Sequence, residues 1–170
     1  RKRPQNVGYY DTKYGSFCGE YKKYPLGRTL SKKILMKITN VSYERLDLQL
    51  TEPYTIAYET VDSTTNFILK IETDSHLVGY GCAAPDLEVT LETTSEVENT
   101  IKTLVIPFLK GKNPFMLSEI LEGLSTLIQK KSSVLAMVDM GLLDIAAKKM
   151  GVPLYQFIGG FRNCIATSIT

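Results

Sequence analysis

Residues 136–160, AMVDMGLLDIAAKKMGVPLYQFIGG, decide how the rest of the chain is read. Leu135, Val138, Leu142, Ile145 and Ala146 recur at three- and four-residue steps, which predicts one helix with an apolar stripe up to about residue 150. Gly151 is its stop. A glycine there takes the left-handed conformation that closes a helix, Lys148 and Lys149 suit the negative end of the dipole, and Pro153 prevents continuation. Leu154, Tyr155, Phe157 and Ile158 then form a short apolar turn that runs into Gly159-Gly160, and a new element is expected from Cys164.

Working upstream, Ser132 or Ser133 should cap this helix. Before it, Pro114 opens a helix whose apolar face is Leu117, Ile120, Leu121, Leu124, Leu127 and Ile128. A helix capped by Thr94 or Ser95 carries Val97, Ile101, Leu104, Val105 and Phe108 on one side, is distorted near its end by Pro107 and stops at Gly111. The first half reads as strands. From Met36 to about Leu50, Tyr43, Leu46, Leu48 and Leu50 alternate with polar residues, with an imperfection near Arg45. Residues 51–63 lack a period, contain Pro53 and are expected to form a long loop. Phe67, Leu69 and Ile71 alternate through Thr65–Thr73, Asp74-Ser75 makes a turn, and Leu77 to Cys82 returns as a third strand that Gly79 and Gly81 loosen at its end. Three strands, three helices and a final strand from about Cys164 to Thr170 make an α+β order.

Composition narrows the classes. With 44% hydrophobic and 22% charged residues, the 170-residue chain is an ordinary globular domain. No apolar run approaches the roughly 20 residues of a membrane span, and Arg1-Lys2-Arg3-Pro4 is followed by no signal-type segment, so the default location is the cytoplasm with no membrane partner. Cys18, Cys82 and Cys164 are odd in number and far apart, which suits neither a disulfide framework nor a zinc site. His76, the only histidine, falls in a hairpin turn and reads as solvated. Residues 1–35 hold nine Lys or Arg against Asp11 and Glu20, a net of +7, which leaves −5 for the remainder of a chain whose total is +2. Interleaved tyrosines make a nucleic-acid or acidic-surface binding module the rival reading of this segment. It has no period, is broken by Gly8, Gly15, Gly19, Pro25 and Gly27, and matches no recognition module. It therefore reads as a leader outside the fold, with no nucleic-acid partner expected.

The order Asp139, Leu143-Asp144, Ala147-Lys148, Gly151-Val152-Pro153-Leu154-Tyr155, Gly159-Gly160 resembles the signature helix of the enolase superfamily, muconate-lactonizing subgroup. The resemblance extends over residues 36–170. Met36-Lys37-Ile38, Leu50-Thr51-Glu52-Pro53-Tyr54, Val78-Gly79-Tyr80-Gly81, Ala84-Pro85 and Thr167-Ser168-Ile169-Thr170 are similar to dipeptide epimerases of the L-Ala-D/L-Glu type, while muconate cycloisomerases and succinylbenzoate synthases share the same cap and helix. It implies a capping domain over residues 36–160, a three-stranded antiparallel meander plus helical bundle, leading at 161–170 into the first strand of a truncated (β/α) barrel.

It also implies a chemistry: α-proton abstraction and return by two lysines, through an enediolate stabilised by Mg²⁺ on three acidic side chains. Those groups belong to later barrel strands of a fold of about 250 residues, so no catalytic residue or metal ligand is expected before Thr170, and this chain alone should be inactive. A dipeptide substrate and a homo-oligomer of the full-length protein are implied in the same way. The residues implied to touch substrate are Thr170 at the end of the first barrel strand and, in a cap loop over 51–63, Tyr54, Ile56 and Glu59. Glu59 stands where epimerases of acidic dipeptides place an arginine, a reversal that favours a cationic or neutral side chain. Cys82 stands where many relatives have a glutamate and reads as a packed thiol. Asp139 and Asp144 are about 140° apart around a helix, so they do not form a general acid/base pair; helix-surface or capping bonds toward a neighbouring barrel are expected.

Overall fold

In a computed structural model the chain divides into two units, Arg1–Ile34 and Leu35–Thr170. The structure describes residues 35–55, 60–129, 131–162 and 164–166, so the basic leader lies outside the described residues. Three antiparallel strands, β1 (Ile38–Thr55), β2 (Thr60–Thr73) and β3 (Val78–Ala83), form a sheet in the order β1-β2-β3. The helical half comprises α1 (Thr94–Thr100), a π-helical segment (Ile101–Val105), α2 (Ile106–Leu109), α3 (Leu117–Leu127), α4 (Ser132–Met150) and α5 (Leu154–Phe157).

The core face of the sheet is built in cross-strand rows. Val41, Ile71 and Gly79 form one row, Tyr43, Leu69 and Gly81 the next, and Arg45, Phe67 and Ala83 the third. Phe67, Leu69 and Ile71 are fully buried. Ile38 and Val41 are three residues apart and both buried, which a regular two-residue alternation forbids. A bulge at Thr39 resolves this: Ile38 pairs with Thr73 but Asn40 with Glu72, so one extra residue on β1 turns both side chains inward. Leu46 and Leu48, the leucines of the alternating stretch, fall on the opposite face against Asn66 and Thr64, and Leu48 is 47% exposed. At Arg45, where an imperfection is expected, the register is regular.

The glycines of β3 do not loosen it. A Cβ on Gly81 would overlap the carbonyl of Met137, and one on Gly79 the carbonyl of Gly141, so α4 lies directly on β3 because these positions lack side chains. Gly141 completes the approach from the helix side, where a Cβ would come within 2.9 Å of Ile71 Cδ1. Val134, Met137, Val138, Leu142 and Ile145 of α4 are fully buried.

The helix termini are closed by specific groups. Thr93 rather than Thr94 or Ser95 caps α1: its hydroxyl accepts from the Glu96 N–H at 3.3 Å, while its own N–H donates to Glu96 Oε2 at 3.1 Å, a capping box. Val97, Ile101, Val105 and Leu109 are buried at four-residue steps. Such steps overshoot a regular α-helical face by about 40° each. The wider π turn reduces that drift, and it lies just before Pro107, whose missing N–H interrupts the normal ladder one turn earlier than expected. α3 begins at Leu117, after an Asn113 turn in which the Asn113 side chain accepts from the Phe115 N–H at 3.1 Å. Neither Ser132 nor Ser133 caps α4. The buried Glu92 carboxylate does so from 41 residues away, accepting the Ser133 N–H at 3.2 and 3.4 Å at the positive end of the helix dipole. At the other end Gly151 has φ +70°, its N–H donates to Lys148 O and the Val152 N–H to Ala147 O, the paired bonds of a Schellman stop.

Candidate functional site

Two regions correspond to the site positions expected from sequence: the far end of the β1–β2 hairpin and the segment after α5. The hairpin is longer than its sequence suggests. Residues 51–55 and 60–63 are strand rather than loop, with Tyr54 opposite Val61 and Thr55 opposite Thr60, and the Thr55 and Thr60 hydroxyls are 3.1 Å apart. The alternation fails in the sequence because the register breaks there. Between the Gln49–Ser63 and Tyr54–Val61 pairs, four residues of β1 lie against Asp62 alone, and Pro53, which has no N–H to give a ladder, sits inside this break. Gln49 Nε2 donates to Asp62 O at 3.2 Å across the gap. β1 and β2 thus run together as a two-stranded arm as far as the Thr55–Thr60 pair.

The root of this arm is tied to α1 by charge. Arg45 donates to both Asp47 oxygens at 3.0 Å and to Glu98 Oε2 at 3.3 Å, Thr65 adds a bond to Asp47 at 2.7 Å, and Glu98 also accepts from Tyr43 at 2.9 Å and Lys102 at 2.7 Å. The Arg45 and Thr65 hydrogen bonds hold the Asp47 carboxyl below the usual carboxylate range. Lys102, then Tyr43, does the same for Glu98, and Arg45 and Lys102 are pushed up in turn. Beyond Arg45 the arm is acidic: from Leu46 to Leu69 the sequence holds Asp47, Glu52, Glu59 and Asp62 and no Lys, Arg or His. Glu52 and Asp62 are exposed.

Of the expected site residues, the backbone of Tyr54 is in β1; its side chain, and Ile56, Glu59 and Thr170, lie outside the described residues. The expected final strand does not form over Cys164–Ala166, which carry no regular structure, and Thr167–Thr170 lie outside the described residues. A surface hollow at this end is lined by Tyr155, Gln156, Gly160, Phe161, Arg162 and Cys164. Asp144 does not face away toward another domain. It accepts from the Tyr80 N–H at 3.0 Å and from Lys148 Nζ at 2.7 Å, and Lys148 also donates to Val78 O at 2.7 Å. The Asp–Lys spacing of four was a visible signal for the helix pair, but its bonds to β3 span 64 and 70 residues and have no local signature. Cys82 is half-buried and burial pushes its thiol up, which fits a packed thiol rather than a nucleophile. His76 is exposed in the Thr73–Leu77 turn with φ +63°.

Among the described residues no group of three or more His, Cys, Asp or Glu could hold a metal ion. The described residues therefore do not fit a magnesium centre. No helix among the described residues is long and apolar enough to cross a membrane.

A sheet of three strands followed by a helical layer whose fourth helix packs on the outer strand is the arrangement of a described domain family. Residues 38–159 match the model for the N-terminal domain of mandelate racemase / muconate lactonizing enzyme. The chain belongs to this family. As the expected fold class implies, it is the α+β capping domain of the enolase superfamily. Similar to it are the L-Lys-D/L-Arg epimerase of Desulforapulum autotrophicum, 38% identical over 79% of this chain and 38% of that protein, and the L-Ala-D/L-Glu epimerase of Bacillus subtilis, 35% identical over 79% and 37%. Among solved structures, the dipeptide epimerase of Enterococcus faecalis complexed with Mg and L-Leu-L-Tyr superposes with a TM-score of 0.71 at 34% identity, over 75% of this chain and 36% of that one. The curated relatives it matches include epimerases and a racemase, and the chain spans little more than a third of the length of those named above.

Proposed function

We propose that this chain is the N-terminal part of a Mg²⁺-dependent dipeptide epimerase, its residues 36–160 the cap and its residues 161–170 the entry to a catalytic barrel. The observation that carries the reading is the two-stranded arm, anchored at its root by the Arg45–Asp47–Glu98 cluster and paired out to Thr55 and Thr60. An arm tied down at its base, with Leu48, Glu52 and Asp62 exposed along it, suits a lid that closes over a small substrate and excludes water. In this reading Tyr54, Ile56, Glu59 and Thr170 touch the dipeptide. The lysine pair and the metal donors come from residues beyond Thr170, so the 170-residue chain alone is inactive. Lewis-acid stabilisation of an enediolate is what the metal would supply when bound; the cap contributes closure and selection.

The preferred substrate is a dipeptide whose second residue is cationic. The support is electrostatic: the arm beyond Arg45 carries four carboxylates and no base, and a glutamyl side chain approaching Glu59 would be repelled. The similar Desulforapulum autotrophicum protein is named for lysyl and arginyl substrates, in line with this preference. The test is α-deuterium incorporation in D₂O by the full-length, magnesium-loaded protein, comparing lysyl and arginyl dipeptides with L-Ala-L-Glu. Metal-dependent exchange, faster for the cationic dipeptides, is expected. Absence of exchange with every dipeptide, alongside turnover of a cycloisomerase substrate, would replace the epimerase reading with that of the muconate-lactonizing branch.

A further inference from the structure

Among the described residues β3 is an outer strand of the sheet, and Val78–Ala83, VGYGCA, has none of the ordinary devices that keep such an edge from pairing with another chain: no charge, no proline and no register break. β1, the opposite edge, has all three within its own sequence, in Glu44, Arg45 and Asp47, in Pro53, and in two register breaks. On β3 the protection comes instead from α4. The Tyr80 N–H donates to Asp144 Oδ2 at 3.0 Å, and the Val78 carbonyl accepts from Lys148 Nζ at 2.7 Å. An acceptor and a donor two residues apart on one edge are the pair that an added strand would engage. Lys148 is held by Asp144 at 2.7 Å and lies 5.2 Å from the centre of the half-exposed Tyr80 ring, so a desolvating partner would have to displace a charge from both.

We infer that Asp144 and Lys148 act together as a surrogate strand, a guard that prevents a second copy of this chain from adding its own β3 to the exposed edge. An ordinary helix-surface pair accounts for the bond between Asp144 and Lys148. It does not account for both residues leaving the helix to take the strand's free donor and acceptor.

The experiment is sedimentation and gel filtration of the 170-residue chain over a range of concentrations, for the parent and for the Asp144→Ala/Lys148→Ala variant, with circular dichroism to follow helix content. The variant is expected to keep its helices and shift to larger, strand-paired species. Adding Tyr80→Lys, which places a charge back on the edge, should return it to the parent's distribution. An unshifted double variant overturns the inference, and so does a shift that Tyr80→Lys fails to reverse, which would be general unfolding. If the double variant loses its helices, Lys148→Met decides the matter. It keeps the Asp144 bond to Tyr80 and frees only the Val78 carbonyl, so a concentration-dependent shift sustains the inference and the parent's distribution overturns it.

Discussion

The two halves of the β1–β2 hairpin are made of the same ladder and do different work. In the root, Val41, Tyr43, Phe67, Leu69 and Ile71 lie in rows continued by Gly79, Gly81 and Ala83 of β3, on whose glycines α4 packs. In the arm beyond Leu46, pairing persists but the third strand does not reach, and Leu48, Glu52 and Asp62 face solvent. A ladder alone is marginal, and burial against a third layer is what confers stability. Stability should therefore reside in the root, leaving the arm free to vary its residues, which is what the proposed role of the arm requires.

Substitutions can break or sharpen that contrast. The largest effect expected is from Phe67→Ala, which empties a fully buried ring position and should cost about 3–5 kcal/mol by denaturant unfolding. A loss below about 1 kcal/mol would mean the root is not the core. Gly81→Ala comes next: the added methyl meets a backbone carbonyl of α4, and a loss of about 3 kcal/mol is expected although the side chain gained is the smallest possible. In the arm, Leu48→Ser should change stability by no more than about 0.5 kcal/mol, because nearly half of that leucine is already in water.

The smallest effect is the pH dependence of the surface clusters. Asp47, Glu72 and Glu98 are held low by Arg45, Lys70 and Lys102, and Glu96 by its bond to the Thr93 backbone. Their contribution is fully present above the ordinary carboxylate values, about pH 4, and is lost as pH falls below them. Arg45, Lys70 and Lys102 are raised, so their contribution is present below the ordinary Lys and Arg range, about pH 10 and higher, and is lost as pH rises past it. Thermal unfolding between those limits should show a plateau, and a slope centred near neutrality would contradict this assignment.

The sequence made the root legible and the arm illegible for one physical reason. Phe67, Leu69 and Ile71 alternate because one face is buried, and α4 shows its stripe, its lysines and its glycine stop for the same reason. Where burial ends, alternation carries no information. Leu46 and Leu48 continue a pattern on the wrong face, and the register break around Pro53 made a strand look like a loop. Long-range polar contacts were invisible. Nothing near Glu92 indicates that it caps α4, and Gly79 and Gly81 acquire their meaning only from Met137 and Gly141 of a helix sixty residues on. Asp144 reads in the sequence as a helix-surface or capping group toward a neighbouring barrel, but its partner is the neighbouring strand of its own domain.

The most direct test is the Glu59→Arg variant of the full-length, magnesium-loaded protein, assayed by α-deuterium exchange with a lysyl or arginyl dipeptide and with L-Ala-L-Glu. The account predicts that the ratio of the two rates inverts toward the acidic dipeptide while the unfolding temperature stays that of the parent. An unchanged ratio would show that the arm does not select substrate, and a lowered unfolding temperature would show that arm and root are not the separate regions described.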